Sequence, residues 1–367
     1  MIVLGIESSC DETSVGIVRD GTELLANVVF SSMDLHKAFG GIVPEIAARS
    51  HIEAMIPTLQ EALDTAFPNH DDPWSEIDGI AVTYGAGLGG SLMVGAMTAK
   101  TLAISKNKPL YAVNHVEAHV YASFLTDSQL SEYTMPDSQP DFPLLAIIIS
   151  GKHSQLALFR DHNDYTLLGQ TRDDAIGEAF DKVAKIAGLP YPGGPSIAAA
   201  AAKGDAHKYE LPKAKLDSPY DFSFSGPKTA VLRLAQREIG EDYRFPSWQL
   251  ARRLSEAQKN DIAASFQRIA VETIVDKAML AVEEHKPNSL LIAGGVAASH
   301  ELRNQVTDRL NYLKTKNGSI TTEFSYPDLK LCTDNGAMVA TLGCYHISGN
   351  LPTTDPYSLA IDPSLSM

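Results

Sequence analysis

The chain has 367 residues, 44% of them hydrophobic and 20% charged, with a formal net charge of −15. That length suits roughly two domains, the composition excludes global disorder, and the acidic balance counts against a surface built broadly for nucleic acid. No apolar run approaches the ~18 residues of a membrane span, no basic leader precedes "MIVLGIESS", and three cysteines form no disulfide framework, so a cytoplasmic protein with no membrane partner is expected.

In chain order, "IVLGIES" runs in as a strand, "SCDET" turns, "SVGIVRDG" runs out and "TELLANVVF" follows as a third strand. Helical periodicity takes over in "PEIAARSHIEAMIPTLQEALDTA". Two buried strands, "IDGIAVTYG" and "LYAVNH", flank the helix-like "SLMVGAMTAKTLAISKN". Strands alternating with helices point to a mainly parallel α/β architecture.

Next comes "NHVEAHVYASF", residues 114–124. Asn114 can cap a helix, and Glu117 stands three residues on, where a capping box places Glu or Gln. His115 and His119 are then i,i+4 neighbours with Cβ atoms about 6 Å apart, able to share one ion. The positive end of the helix dipole disfavours protonation of His115, and a metal needs neutral imidazole. Glu117 lies about 200° around the helix from His115. The protease pattern H-E-x-x-H is therefore absent. Two histidines alone are a weak motif, and a third ligand is required.

The polar, Pro-containing segment 125–143 reads as a surface loop. After it, "LLAIIIS", "GKHS" and "QLALFRDHNDYTLLGQT" repeat the opening pattern. With Arg19-Asp20 set on Arg160-Asp161, Ser9 falls on Ser150, Thr13 on Ser154, Val15 on Leu156 and Ile17 on Leu158. Each unit is strand, small-polar turn, strand, charged turn, strand, followed by helix, here "GEAFDKVAKIAGL". This is the mark of an internal duplication: two α/β lobes whose hairpin tips point into a shared cleft.

Between Ser225 and Lys259, seven basic residues (Lys228, Arg233, Arg237, Arg244, Arg252, Arg253, Lys259) stand against four acidic ones (Glu238, Glu241, Asp242, Glu256). Such a cluster is ordinarily a solvated helix face, and otherwise a small docking patch for a polyanion. The strand "SLLIAGGV" leads into the helix "ASHELRNQVTDRLNYLK", and the Pro-rich tail is expected to pack irregularly on the first lobe.

Four Gly-rich turns, "YGAGLGGS", "SGKHS", "YPGGPS" and "AGGVAAS", favour a nucleotide or acyl-phosphate ligand, because glycine lets backbone approach it. None is a P-loop, and although Gly85, Gly87 and Gly90 fit the letters G-x-G-x-x-G, that loop does not follow the first strand of a dinucleotide-binding unit. Asp334 in "LKLCTDNGAMVATLG" precedes a helix-like stretch, where an N-cap is its ordinary role. As a third ligand it would complete an open two-His, one-carboxylate site suited to Fe(II) or zinc.

Together "GIESSCDETSVGIV", "GGIVPEIAARSHI", "NHVEAHV", "DDAIGEAFDKVAKIAGLPYPGGP", "FSFSGPKTAV" and "CTDNGAMVA" resemble the tRNA N(6)-adenosine threonylcarbamoyltransferase (TsaD) family. The resemblance runs in order from about residue 2 to about 345. It implies a two-lobed actin-like, sugar-kinase-like fold with duplicated lobes and an interlobe cleft. The lobes are expected at 1–113 with 335–367, and at 114–334. The implied activity is transfer of threonylcarbamoyl from threonylcarbamoyl-AMP to the adenosine beside the tRNA anticodon.

By motif, His115, His119 and Asp334 match the family's metal ligands, with Fe(2+) the usual ion and Zn(2+) the alternative. Ile148, Ile149, Ser150, Gly151, Lys152 and His153 match its substrate-binding hairpin, Asp181 its substrate carboxylate, and Gly194 its substrate glycine. Ser299 stands where the family has a substrate-binding Asn. Asp11 and Glu12 match the acidic tip of the first hairpin, where a carboxylate either takes the amine proton or simply forms a polar turn. Helper proteins like TsaB and TsaE are implied as partners beside tRNA. Three residues depart from the pattern: Lys152 replaces a glycine, Ser299 the Asn, and Ala86 a proline. An actin-like ATPase or small-molecule kinase is the alternative activity, and a tRNA-holding scaffold the non-catalytic one.

Overall fold

The structure, a computed structural model, describes residues 1–367. Strands Ile2–Glu7 (β1), Glu12–Arg19 (β2) and Glu23–Ser31 (β3) form an antiparallel meander. Helix Pro44–Ala66 (α1), strand Gly79–Gly85 (β4), helix Gly89–Lys106 (α2) and strand Leu110–Asn114 (β5) then place β4 and β5 parallel to β1 on its other side. Helix His115–Tyr121 (α3) starts directly off β5. The two-residue strand Asp127–Ser128 (β6) completes the order β5-β4-β1-β2-β3-β6.

The second half repeats the plan. Strands Leu144–Ile149 (β7), Ser154–Asp161 (β8) and Asp164–Gln170 (β9) are again an antiparallel meander. Helices Ile176–Ala187 (α4), Gly193–Ala201 (α5), Ser225–Glu238 (α6) and Glu256–His285 (α7) follow. Strand Ser289–Ala293 (β10), helix His300–Lys316 (α8) and strand Glu323–Ser325 (β11) give the order β11-β10-β7-β8-β9. The last helix, Gly336–Ser348 (α9), returns to the first sheet.

The duplication is borne out in register as well as order. The shift that lays Arg19 on Arg160 carries the cross-strand pair Ile6–Val15 onto Ile147–Leu156. Side chains alternate along a strand, so a slip of one residue would reverse the faces. None has occurred: Ile6 and Val15 pack in one lobe's helix-covered core, Ile147 and Leu156 in the other's.

The opposite faces of the two sheets share a third core. It joins Val3 and Val18 to Leu144 and Ile148 through α3 (Val116, Val120) and α9 (Met338, Leu342). Each fully buried Leu or Val there contributes about 1.5–3 kcal/mol. Every residue of α3 is buried in this layer, so its histidines are held by packing on all sides. Helix α9 lies directly on β2: a Cβ on Gly16 would stand 2.2 Å from the Ala337 nitrogen. Gly336 N also donates to Ser14 Oγ at 2.8 Å. These contacts bring residues 334–335 to the base of the first hairpin.

The 30-residue helix α7 is the longest element and was not legible in the periodicity. It packs against α5, α6 and α8, which buries it on several sides and blurs the single apolar stripe. Its one local signal is the capping box of Ser255 and Gln258, which is formed. The tail after α9 has neither helix nor strand and docks on the first lobe: Thr354 N donates to Leu110 O, and Asp362 N to Tyr84 O. No helix is long and apolar enough to cross a membrane.

Candidate metal centre at the meeting of two hairpins

Asn114 ends β5 and caps α3, its side chain accepting from Val116 N at 2.8 Å and Glu117 N at 3.4 Å. The reciprocal bond of a capping box is not formed; the Glu117 carboxylate instead sits buried, and burial raises its pKa to about 7. His115 and His119 stand one turn apart and meet edge to face, with ring centroids 4.7 Å from each other.

Asp334 meets them. Its Oδ1 lies 3.7 Å from His115 Nε2 and 3.4 Å from His119 Nε2. One ligand atom from each of the three falls within 4.8 Å of the others. The N-cap of α9 is Asn335, not Asp334: the Asn335 side chain accepts from Met338 N at 3.0 Å. The carboxylate expected to cap is thereby left free for the cleft.

One buried residue escaped the sequence reading. Glu7, at the end of β1, is fully buried and accepts from Ser9 N and Thr83 Oγ1, both at 2.6 Å. Its Oε2 lies 3.2 Å from His115 Nδ1. A carboxylate can only accept, so Nδ1 is the donor, and Nε2 is the nitrogen turned toward Asp334. A carboxylate behind a ligating imidazole is the usual device for fixing its tautomer and orientation. An acidic residue inside the apolar run "IVLGIE" was the available signal.

The electrostatics follow. Burial opposes the charge on Glu7, but the adjacent His115 outweighs it and lowers the carboxyl to about 2. Burial would likewise lower His115; Glu7 and then Asp334 prevail and raise it to about 9. Two carboxylates at close range thus act on His115 against the helix dipole, which disfavours its protonation. Burial raises Asp334 to about 6, partly offset by His115.

His119 tests whether this pocket fits an ion. Both its ring nitrogens are buried without a hydrogen bond, a costly arrangement that a ligand at Nε2 would relieve. Burial, then neighbouring His115, lowers its pKa well below the ordinary value, which keeps it neutral. Two imidazole nitrogens and one carboxylate oxygen with an open side make a donor set for one divalent ion.

Both hairpin tips converge on this point. From the first, Ser9 Oγ lies 3.2 Å from His115 Nδ1. Asp11 is buried, and the Glu12 carboxyl is pushed well up by burial, by Asp334 and by Asp11. From the second, the His153 ring centre is 6.3 Å from that of His115, and burial followed by His115 lowers its pKa to about 3. Lys152 is exposed and its charge is felt by Asp334 and Cys10. Its φ is not positive, so replacing glycine here adds no backbone strain.

The remaining candidates are spread around the cleft. Ile148 and Ile149 are fully buried, their side chains in the core. Ser150 Oγ accepts from Lys152 N at 3.4 Å and His153 N at 3.2 Å, which occupies two of the turn's donors and leaves the Gly151 N–H without a partner. Asp181 accepts from Gly193 N at 2.6 Å, beside Gly194, where a Cβ would meet open space. Burial, then Asp181 and Asp11, push the Tyr191 hydroxyl up to about 12. Ser299 caps α8 through Leu302 N.

Two of the glycine turns serve packing. A Cβ on Gly87 would stand 2.6 Å from Ser9 O, and one on Gly294 (φ +87) 2.4 Å from Ile149 O. In each lobe the strand–helix loop presses on that lobe's hairpin, so these glycines shape the cleft from behind. Cys332 is buried, its thiol against Arg303.

Comparison with known proteins places the chain in a family. The family model described as TsaD, tRNA N6-adenosine threonylcarbamoyltransferase, matches residues 23–341. Proteins of that name are 44% identical in Thermomicrobium roseum (94% of this chain, 92% of the relative) and 45% identical in Desulfitobacterium hafniense (94% and 91%). One from Syntrophomonas wolfei is 42% identical over 99% of this chain and 97% of its own. Full-length HypF, solved in its phosphate- and nucleotide-bound form, is similar in fold over 96% of this chain and 47% of that one, with a TM-score of 0.55 at 14% identity. The two-lobed actin-like fold is therefore the observed one, and the chain belongs to the tRNA N6-adenosine threonylcarbamoyltransferase family.

Proposed function

We propose that this chain transfers the threonylcarbamoyl group of threonylcarbamoyl-AMP to the exocyclic amine of adenosine 37 in tRNAs reading codons that begin with adenine. The observation that carries this reading is the convergence of Asp334 and both hairpin tips on two buried imidazoles, one of them without a hydrogen bond. The donor is a mixed anhydride and already activated. The acceptor amine is poor, because its lone pair is delocalised into the purine. What the protein must supply is therefore positioning and charge stabilisation.

His115, His119 and Asp334 would hold one divalent ion, Fe(2+) in preference to Zn(2+), which when bound supplies Lewis acidity and a template for the substrate. The rest falls to the chain's own groups. Lys152 and the free Gly151 N–H are suited to the donor phosphate, with Asp181 and Gly194 on the far side of the cleft. As the amine nitrogen bonds to the carbamoyl carbon, the carbon–oxygen bond to phosphate breaks and AMP leaves. The amine proton passes to the acidic tip. Glu12 suits that role because burial and like charge raise its pKa and so strengthen its carboxylate as a base.

We assign the lobes to 1–113 with 335–367 and to 114–334, place the protein in the cytoplasm, and expect TsaB-like and TsaE-like helpers. The test is incubation with threonylcarbamoyl-AMP and unmodified tRNA, with and without those helpers, followed by analysis of digested tRNA. Modified adenosine that disappears in Asp334→Asn supports the reading. Phosphorylated product from ATP alone, with no modified tRNA, would replace it with the kinase alternative.

A further inference from the structure

The acidic chain carries one cleft of opposite character, away from the metal centre. Helix α4, helix α6 and the turn Ser247–Leu250 enclose a cavity of about 250 Å³ lined by Lys182, Lys185, Lys228, Thr229 and Trp248. No carboxylate lines it. Trp248 is 72% exposed, and an indole on so open a turn is not there for the core.

The lysines are not equivalent. Lys182 and Lys228 both grip Asp174, at 2.7 and 2.5 Å, and Lys182 also reaches Glu178. These pairs hold two ammonium groups of the cleft wall in place. Lys185 is exposed and lies within 4 Å of no carboxylate. Arg252, just past the turn, is likewise exposed and unpaired. Unpaired cations beside an open aromatic face are the two parts of a site for an unpaired nucleic-acid strand: phosphates on the cations, a base on the ring.

The cleft also stands at the right place. Helix α4 begins on the second hairpin, where Ile176 N donates to Ser154 Oγ at 2.9 Å and Gly177 abuts Gly151. Lys185 lies nine residues along the same helix from Ile176, or about 14 Å at 1.5 Å per residue. One rigid element thus connects the substrate hairpin to the basic cleft.

We propose that this cleft seats an RNA strand of the tRNA acceptor, with Lys185 and Arg252 on phosphates and Trp248 beneath an unpaired base. The proposal rests on the transfer reading above and extends it to a surface outside the metal centre. Both Lys185 and Trp248 are exposed, so their variants leave the fold intact.

The experiment measures tRNA affinity of the full chain against salt, with helpers present at constant concentration, for wild type, Lys185→Glu, Trp248→Ala and the remote control Lys108→Glu. Lys185→Glu is expected to weaken binding roughly tenfold and to flatten the slope of log K against log salt by about 0.7–0.9. Trp248→Ala is expected to weaken it at least about fivefold with the slope retained. Threonylcarbamoyl-AMP binding, followed by calorimetry, should not change in either. Wild-type affinity and slope in both variants would overturn the inference while leaving the transfer reading standing. So would a loss that vanishes when helpers are omitted, which would make the cleft a protein contact. Wild-type chain that neither binds nor modifies tRNA would overturn both.

Discussion

The two hairpins are copies of one design with opposite chemistry at their tips. The shift that aligns their ladders sets Asp11 against Lys152 and Glu12 against His153. The hydroxyls at the base of each turn have stayed alike in what they do. Thr13 Oγ1 lies 2.7 Å from His51 Nδ1 of α1, and its counterpart Ser154 accepts from Ile176 N of α4. Each hairpin is tied to the first long helix of its own lobe. What diverged is the part that reaches the cleft. The first tip and Glu7 crowd carboxylates around the imidazoles, while the second brings a cation and a free N–H. Duplication supplied a frame holding two loops face to face, and in the proposed transfer the basic tip serves the anionic donor and the acidic tip the proton-releasing acceptor.

The comparison can be broken most severely at the centre. Asp334→Asn keeps shape and removes the anionic ligand. Transfer should fall by more than about 100-fold, and metal content, read by mass spectrometry of the purified protein, should drop from about one ion per chain toward zero. Full metal content in that variant would remove Asp334 from the site.

Next in size is the first hairpin's own support. Glu7→Gln retains an acceptor but not the charge behind His115. Metal affinity should weaken about 10- to 100-fold, measured by competition with a chelator, with little change in fold. An unchanged affinity would make Glu7 a structural acid only.

Lys152→Gly sharpens the contrast from the other side. Losing one charged contact to phosphate should raise KM for threonylcarbamoyl-AMP roughly tenfold, with kcat nearly unchanged at saturating donor. A fall in kcat alone would move Lys152 from donor binding to the chemical step.

The smallest effects concern the clamps. Thr13→Val and Ser154→Ala should each cost about 1 kcal/mol in denaturant unfolding, alike if the two ties are equivalent. The first clamp adds a pH signature that the second lacks. Burial lowers the pKa of folded His51 beneath its ordinary 6.5. Its contribution to stability is therefore complete above pH 6.5 and lost as pH falls below it, because the unfolded chain takes up the proton first. His51→Gln should remove that part of the acid-side slope.

Much of this was legible in the residues alone. The duplication could be read because strand alternation and turn chemistry are local, and Ser9, Thr13, Val15 and Ile17 fell on true counterparts. The i,i+4 spacing of His115 and His119 likewise needs only one helix. The local cap rule misplaced Asp334, because Asp and Asn stand side by side before α9 and only the packed helix decides which one caps.

Sequence by itself determined the paired lobes, the histidine pair and the opposed charges of the two tips, since each depends on neighbours within a few residues. Tertiary structure alone decided that Asp334 faces the imidazoles, that Glu7 orients one of them, that two glycine turns are packing devices, and that Lys185 and Trp248 share a cleft. The physical reason is distance along the chain. Glu7 meets His115 across 108 positions, and such contacts exist only once burial has driven the two sheets, α3 and α9 into a common core.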